Sequence, residues 1–307
     1  RILTFNFHEP YLCLMAKTGY RLSVGLYEQG PLARTWQTQF RPVPPNIEFV
    51  PEAQWRADIA AARYDVAIAH NESNALDLLR GRVPKILVCH NRKTFLREAA
   101  TIETGDVGEA IERLLARLRQ AFEFVFISES KRADYGVPGR VILPGMDVEE
   151  YGGYTGGIKE VLRVGNAMRE RNLMFDVDLQ EAACAGIANR IAGVDPNLPA
   201  ARPAESFADL IDLYRTRRCL LHVTRQEYED GYNLAMLEAM ACGMPVVALA
   251  NNTSPLTHGR DGLVSDSAET LRAHLQALLD DHALARTISA GGRATVARKF
   301  PMGAFIE

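Results

Sequence analysis

The feature that most constrains this chain is the alternation of short apolar runs with longer stretches of helical spacing. In the first half, residues 2–7, 22–27, 66–69, 85–89, 124–127 and 141–143 read as strands. In the second half, 161–164, 186–192, 220–223 and 246–249 read as strands or short core segments. Several of these runs lack apolar–polar alternation, as expected for strands buried on both faces. Between them lies sequence such as 108–122, where Ile111, Leu114, Leu115 and Leu118 recur at helical spacing. Strands alternating with helices imply βαβ units and parallel sheets. The chain has 307 residues, 47% of them hydrophobic, enough for two domains of about 150 residues each. Four glycines fall between Tyr151 and Gly157, which makes 151–157 the expected linker and hinge, with domains at 1–150 and 158–307.

Composition excludes several classes. The net charge is −3, so the basic footprint of a nucleic-acid binder is missing. Cys13, Cys89, Cys184, Cys219 and Cys242 form no CxxC pair and no metal-ligand spacing, which suits free thiols in a reducing compartment. No apolar run approaches the ~20 residues that span a bilayer. The first strand runs into Asn6-Phe7-His8-Glu9-Pro10, without a glycine until Gly19, so the dinucleotide-binding GxGxxG fingerprint is absent. No Ser-His-Asp arrangement, HExxH, EF-hand or P-loop is evident, and no obligatory metal site is expected.

The informative segment is 229–248. Asp230-Gly231 reads as a turn, followed by a helix that Gly243 caps and Pro245 ends before a strand at Val246. Glu238 is the only charge in that helix, and if buried its carboxylate needs hydrogen-bond donors such as ribose hydroxyls. Asp230 precedes it by eight positions, ~12 Å of helix-equivalent length, which suits the far end of a nucleotide diphosphate-sugar. Free N–H groups from Tyr232 to Leu234 suit a diphosphate or the sugar. Two plainer readings stand beside these: Asp230 as the helix N-cap, and Glu238 on a solvated stripe.

This segment resembles the signature of retaining glycosyltransferases of the two-Rossmann-domain (GT-B) class, family 4 or "glycosyl transferases group 1" type. That signature has Glu, then Gly-Phe-Gly, then Glu-Ala-Met-Ala-Cys-Gly-Xaa-Pro-Val-Val-Ala, and residues 238–248 match the last part residue for residue. Asp230 stands for the first Glu, and Tyr232-Asn233 for Phe-Gly. Weaker likenesses fall at 126–130, 141–147, 162–165 and 261–264.

The resemblance implies an α/β fold of two Rossmann-like domains with parallel sheets facing a cleft, the N-terminal one on the acceptor side and the C-terminal one holding the donor. The last helix is a candidate to pack back on the N-terminal domain. The implied activity is hexosyltransferase-type transfer, with retention, from a nucleotide diphosphate-sugar to a glycan or lipid-linked acceptor. Bacterial surface polysaccharide synthesis, in the cytoplasm and peripherally at the inner membrane face, is the family-level setting. The implied site has Glu238 on the ribose, with Asp230, Gly231, Tyr232, Asn233 and Leu234 around the sugar and diphosphate. Asn166 replaces the usual phosphate-gripping Arg, which leaves Arg171, or Arg169, to steady the diphosphate. Ser254 and Thr253 would lie beside the donor. His90, with His70 as a rival, would touch the donor sugar; His8 and Glu9 are weaker candidates for the acceptor, and Asn91, Arg92 and Lys93 are candidates to line the cleft. No cofactor, metal or nucleic acid is implied. The departures at Asn166 and Asp230 also suit an inactive nucleotide-sugar-binding partner subunit, and the same architecture suits a sugar-nucleotide epimerase.

Overall fold

The computed structural model describes residues 1–307. Each apolar run becomes a strand because its side chains are covered on both faces: Leu3 and Ala67 are fully buried, as are Val161 and Val247. The chain divides into two compact units, Arg1–Pro144 with Ile306–Glu307, and Gly145–Phe305.

The first unit runs β1 (Ile2–Phe5), α1 (Glu9–Ala16), β2 (Leu22–Gly25), β3 (Ile47–Val50), α2 (Glu52–Ala60), β4 (Val66–Ala69), α3 (Glu72–Leu78), β5 (Lys85–Cys89), α4 (Lys93–Thr104), α5 (Gly108–Leu118), β6 (Glu123–Phe126), α6 (Glu129–Tyr135) and β7 (Arg140–Val141). Its seven-stranded sheet has the order β3-β2-β1-β4-β5-β6-β7, and every pairing is parallel. The core gathers Leu3, Phe5, Trp55, Leu78, Leu87, Leu118 and Phe126. Strand order reverses between β1 and β4. In open parallel sheets, ligands bind outside the strand C-termini at such a switch point.

The second unit opens with a 3-10 turn, Val148–Glu150, followed by β8 (Ile158–Val164), α7 (Asn172–Phe175), α8 (Val177–Cys184), β9 (Asn189–Ala192), β10 (Ala201–Arg202), α9 (Phe207–Thr216), β11 (Arg217–His222), α10 (Leu234–Cys242), β12 (Val246–Leu249), β13 (Leu263–Ser265), α11 (Ala268–Asp280) and α12 (His282–Lys299). A last short helix is α13 (Met302–Ile306). The six-stranded sheet, also parallel throughout, has the order β10-β9-β8-β11-β12-β13. Its switch point lies between β8 and β11.

Three features differ from the sequence reading. The units part at Pro144/Gly145, ahead of the expected boundary at 150/151. The glycine run 151–157 is tied into the second unit: the Tyr154 hydroxyl donates to the Arg218 carbonyl at 2.7 Å, Arg218 Nε donates to the Gly156 carbonyl at 2.6 Å, and Thr155 N donates to the Arg215 carbonyl at 2.8 Å. Its glycines therefore shape a strap that lies against β11 and its approach. The strands β3, β10 and β13 were not expected. β3 is an edge strand whose Phe49 is exposed, so it lacks the continuous apolar run of its neighbours.

Candidate functional site

The site in the second unit grows from the C-termini of β8, β11 and β12. After β11 the chain turns through Thr224 to Gly231 and enters α10. Asn233 is the N-cap of α10, its side chain accepting from Met236 N at 2.9 Å. Asp230 is therefore not the cap of this helix. Asp230 is 1% exposed and Glu238 is 5% exposed, so Glu238 does not lie on a solvated stripe. A helix whose Met236, Leu237, Ala239, Met240 and Ala241 are all buried carries this one acid in its middle. At the other end, Gly243 closes α10 in the left-handed conformation, at φ 95°.

The loop bearing Asp230 is pinned from β12. Asn251 Nδ2 donates to the Glu229 carbonyl at 3.1 Å, and Gly231 N donates to Thr253 Oγ1 at 2.7 Å. Thr224 Oγ1 donates to the Asp230 carbonyl at 2.8 Å. A Cβ on Gly231 would meet Ser254 N at 2.8 Å, so this glycine allows the 251–254 turn to touch the loop. Ser254 is thus placed directly against Gly231. Tyr232 packs on Phe300, ring centroids 5.0 Å apart, and burial drives its hydroxyl pKa upward. Leu234 is the first residue of α10 and half-buried.

The loop after β8 supplies the positive charge. Ala167 N donates to the Val194 carbonyl at 2.8 Å, Val194 N to Asn166 Oδ1 at 2.9 Å, and Arg169 N to Asp195 Oδ2 at 2.7 Å. The turn after β9 therefore holds the loop, and Asn166 is a brace within it. Of the two candidate cations, Arg169 is engaged by Asp178 at 2.7 Å on the surface. Arg171 stacks over Phe175, 4.6 Å from its centroid, and donates to the Asn166 carbonyl. Burial pulls its pKa down, and the Glu229 carboxylate opposes that shift. Arg171 thus lies within the field of Glu229, while Arg169 pairs with Asp178 at the surface. Sequence reading passed over Glu229, Thr224 and Asn251. Each is a single polar residue with no motif spacing; only its place beyond a strand end marks it.

In the first unit, the β4 and β5 ends bring the two rival histidines together. His70 Nδ1 and His90 Nε2 are 2.9 Å apart, and His70 Nε2 lies 2.8 Å from Thr4 Oγ1. Burial lowers His70 to about 3 and holds His90 well below its ordinary value, with His8 adding to both shifts. Glu9 accepts from Gln37 N at 2.9 Å and so braces a loop. Lys93 pairs with Glu112 at 2.9 Å. His8 is exposed, while Asn91 and Arg92 are half-buried before α4.

Buried acids near a guanidinium at the switch point of a parallel sheet have the chemistry that suits a nucleotide diphosphate. Residues 174–304 match the family model described as "Glycosyl transferase-like". This stretch of the second unit is thus similar to a glycosyltransferase-like domain, and the two parallel α/β units share the GT-B fold. Among solved structures, HepE of Anabaena in complex with UDP and glucose aligns at TM-score 0.72 and 15% identity, over 99% of this chain and 96% of that one. Sucrose-phosphate synthase from Thermosynechococcus elongatus aligns at 0.66 and 15%, over 99% and 96%. WaaG, a glycosyltransferase involved in lipopolysaccharide biosynthesis, aligns at 0.65 and 13%, over 97% and 96%. At these identities the likeness is one of fold. No curated protein matches the chain by sequence.

Proposed function

We propose that this chain transfers a sugar, with retention, from a nucleotide diphosphate-sugar to a glycan or lipid-linked acceptor in the synthesis of a bacterial surface polysaccharide. The observation that carries the reading is the pair of buried acids, Asp230 and Glu238, on the loop and helix that follow β11. Glu238 stands on the helix that follows a strand end at the switch point, where a carboxylate can accept hydrogen bonds from ribose hydroxyls. Asp230, with the N–H groups leading into α10, orients the sugar and diphosphate.

The reaction breaks the bond from the anomeric carbon to the diphosphate and forms one to an acceptor hydroxyl oxygen. The hydroxyl proton goes to the leaving phosphate oxygen. The protein's task is to stabilise charge developing on the diphosphate, and Arg171 with the α10 N-terminus meets it. With a guanidinium in that role the reaction proceeds without a divalent metal, so turnover survives a chelator. No helix is long and apolar enough to cross a membrane. We place the work in the cytoplasm, with a lipid-linked acceptor met at the membrane face.

A thermal-shift screen of UDP, GDP, ADP, CMP and dTDP and their sugars, on wild type and Glu238→Gln, tests the reading. A ligand that binds only the folded state raises its stability by mass action. One nucleotide diphosphate should raise the midpoint of wild type and not of the variant. A flat response to all of them at millimolar concentration would refute the donor site. Donor binding without transfer to any glycan or lipid-linked acceptor would favour the inactive partner subunit.

A further inference from the structure

The strand ends of the first unit hold a hydrogen-bonded chain of three side chains. Thr4 lies on β1, His70 directly follows β4 and His90 directly follows β5. The line Thr4 Oγ1, His70, His90 therefore runs across the switch point, in steps of 2.8 and 2.9 Å, from a fully buried hydroxyl to a half-buried ring. The rings are held in place. Tyr11 sets its edge against both, at centroid distances of 5.9 and 4.6 Å, and Phe7 lies 5.4 Å from His90.

Thr4 fixes the direction of the chain. A hydroxyl has one proton and two acceptor lone pairs. The Thr4 side chain is fully buried and its partner is His70. If His70 donated, the Thr4 proton would be buried without an acceptor, the costlier defect. An unused lone pair is the milder defect. Thr4 therefore donates to His70 Nε2. A neutral imidazole carries one N–H, so the His70 proton sits on Nδ1 and is donated to His90 Nε2. His90 must then carry its own proton on Nδ1, the ring nitrogen that makes no hydrogen bond within the chain. Burial keeps both rings neutral, and His8 and Lys131 reinforce this at His90.

We infer that Thr4 and His70 are positioning residues that lock His90 in its Nδ1–H tautomer, so that it presents an N–H donor to a hydroxyl or ring oxygen of the sugar substrate. The inference rests on the proposed transfer reaction for the identity of the substrate, while the tautomer stands on the hydrogen-bond chain alone.

Long-range 1H–15N correlation spectra of the full chain labelled with 15N-histidine read each ring directly. Wild type should show His70 and His90 neutral, both protonated at Nδ1. His70→Phe removes the donor to His90 Nε2, and His90 should move to a mixture of tautomers. His70→Asn sets an amide N–H near the place of Nδ1 and should restore the single form. An Nε2–H or charged His90 in wild type would overturn the assignment, with no variant needed. An unchanged His90 tautomer in folded His70→Phe would overturn the positioning role. The substrate-facing half is read separately, with the donor found by thermal shift. His90→Ala and His70→Phe should each lower turnover tenfold or more with little change in donor KM, and the double variant should fall no further. Full turnover in His90→Ala would remove His90 from the reaction and leave the tautomer result standing.

Discussion

A Cβ on Gly193 would lie 1.9 Å from the main-chain oxygen of Gly165, so the turn after β9 meets the loop after β8 backbone to backbone. That contact permits the bonds from Val194 to Asn166 and from Ala167 to Val194, and through them it sets the start of the Arg171 loop. Gly193→Ala must push the loop away. Overpacking of this kind costs about 1–3 kcal/mol. We expect a lower unfolding midpoint together with weaker nucleotide diphosphate binding. Gly157→Ala, with nothing within 4 Å of the added carbon, should change neither. Loss of stability with nucleotide affinity intact would mean that the loop takes no part in binding.

The second prediction concerns the cap of α10. Asn233 takes the place of a glycine in the signature that the segment resembles, and its side chain accepts from Met236 N. Asn233→Ala should cost about 1 kcal/mol in urea unfolding, whereas Asn233→Ser should be nearly silent. Donor affinity should fall in the alanine variant, because the cap holds the helix start where the diphosphate is proposed to sit. Equal stability of the two variants would show that the cap is redundant.

How far the fold could be read from the sequence depended on burial. Strands such as 66–69 and 246–249 are covered on both faces and declare themselves as unbroken apolar runs. The edge strands β3, β10 and β13 escaped, because an edge strand does not need that pattern. Glu238 and Asp230 were visible because an acid in an apolar context is anomalous and because 238–248 matches a known signature. The pairing of Arg169 with Asp178 was not visible, because it depends on the approach of α8 to the preceding loop. The hydrogen bond between His70 and His90 was hidden for a similar reason. Twenty positions separate these residues, and only the adjacency of β4 and β5 brings them together.

Asn251 leads to a third prediction. Its side chain donates to the Glu229 carbonyl and accepts from Thr253 N and Thr253 Oγ1, while Thr253 in turn accepts from Gly231 N. Asn251→Ala leaves a buried carbonyl and a hydroxyl short of partners, a loss of about 1–3 kcal/mol for each buried group left unpaired. Because the loop carries Asp230, turnover should fall further than donor binding. A variant destabilised in urea but unchanged in kcat would assign the network to folding alone.

The last prediction is a pH dependence. His222 ends β11, is 7% exposed, and its Nε2 is buried without a partner, so burial lowers it to about 4. His70 is lowered to about 3. An unfolded histidine titrates near 6.5. Above that pH both states are neutral and the histidines cost nothing. As pH falls below ~6.5, the unfolded chain takes up protons that the folded chain refuses, so stability drops until the folded groups themselves titrate. Each such histidine contributes a slope of up to ~1.4 kcal/mol per pH unit. The carboxylates held low by partners, Asp58 and Asp261 among them, lose their stabilising effect only nearer the ordinary carboxylate range, so the histidines dominate from pH 6.5 down to about 4.5. Urea unfolding across that range should show the decline in wild type. His222→Asn should remove up to one proton's worth of slope, with the stability difference between the two proteins constant above pH 7. A slope unchanged by the substitution would mean that His222 becomes charged in the folded protein and that its buried nitrogen gains a partner on protonation.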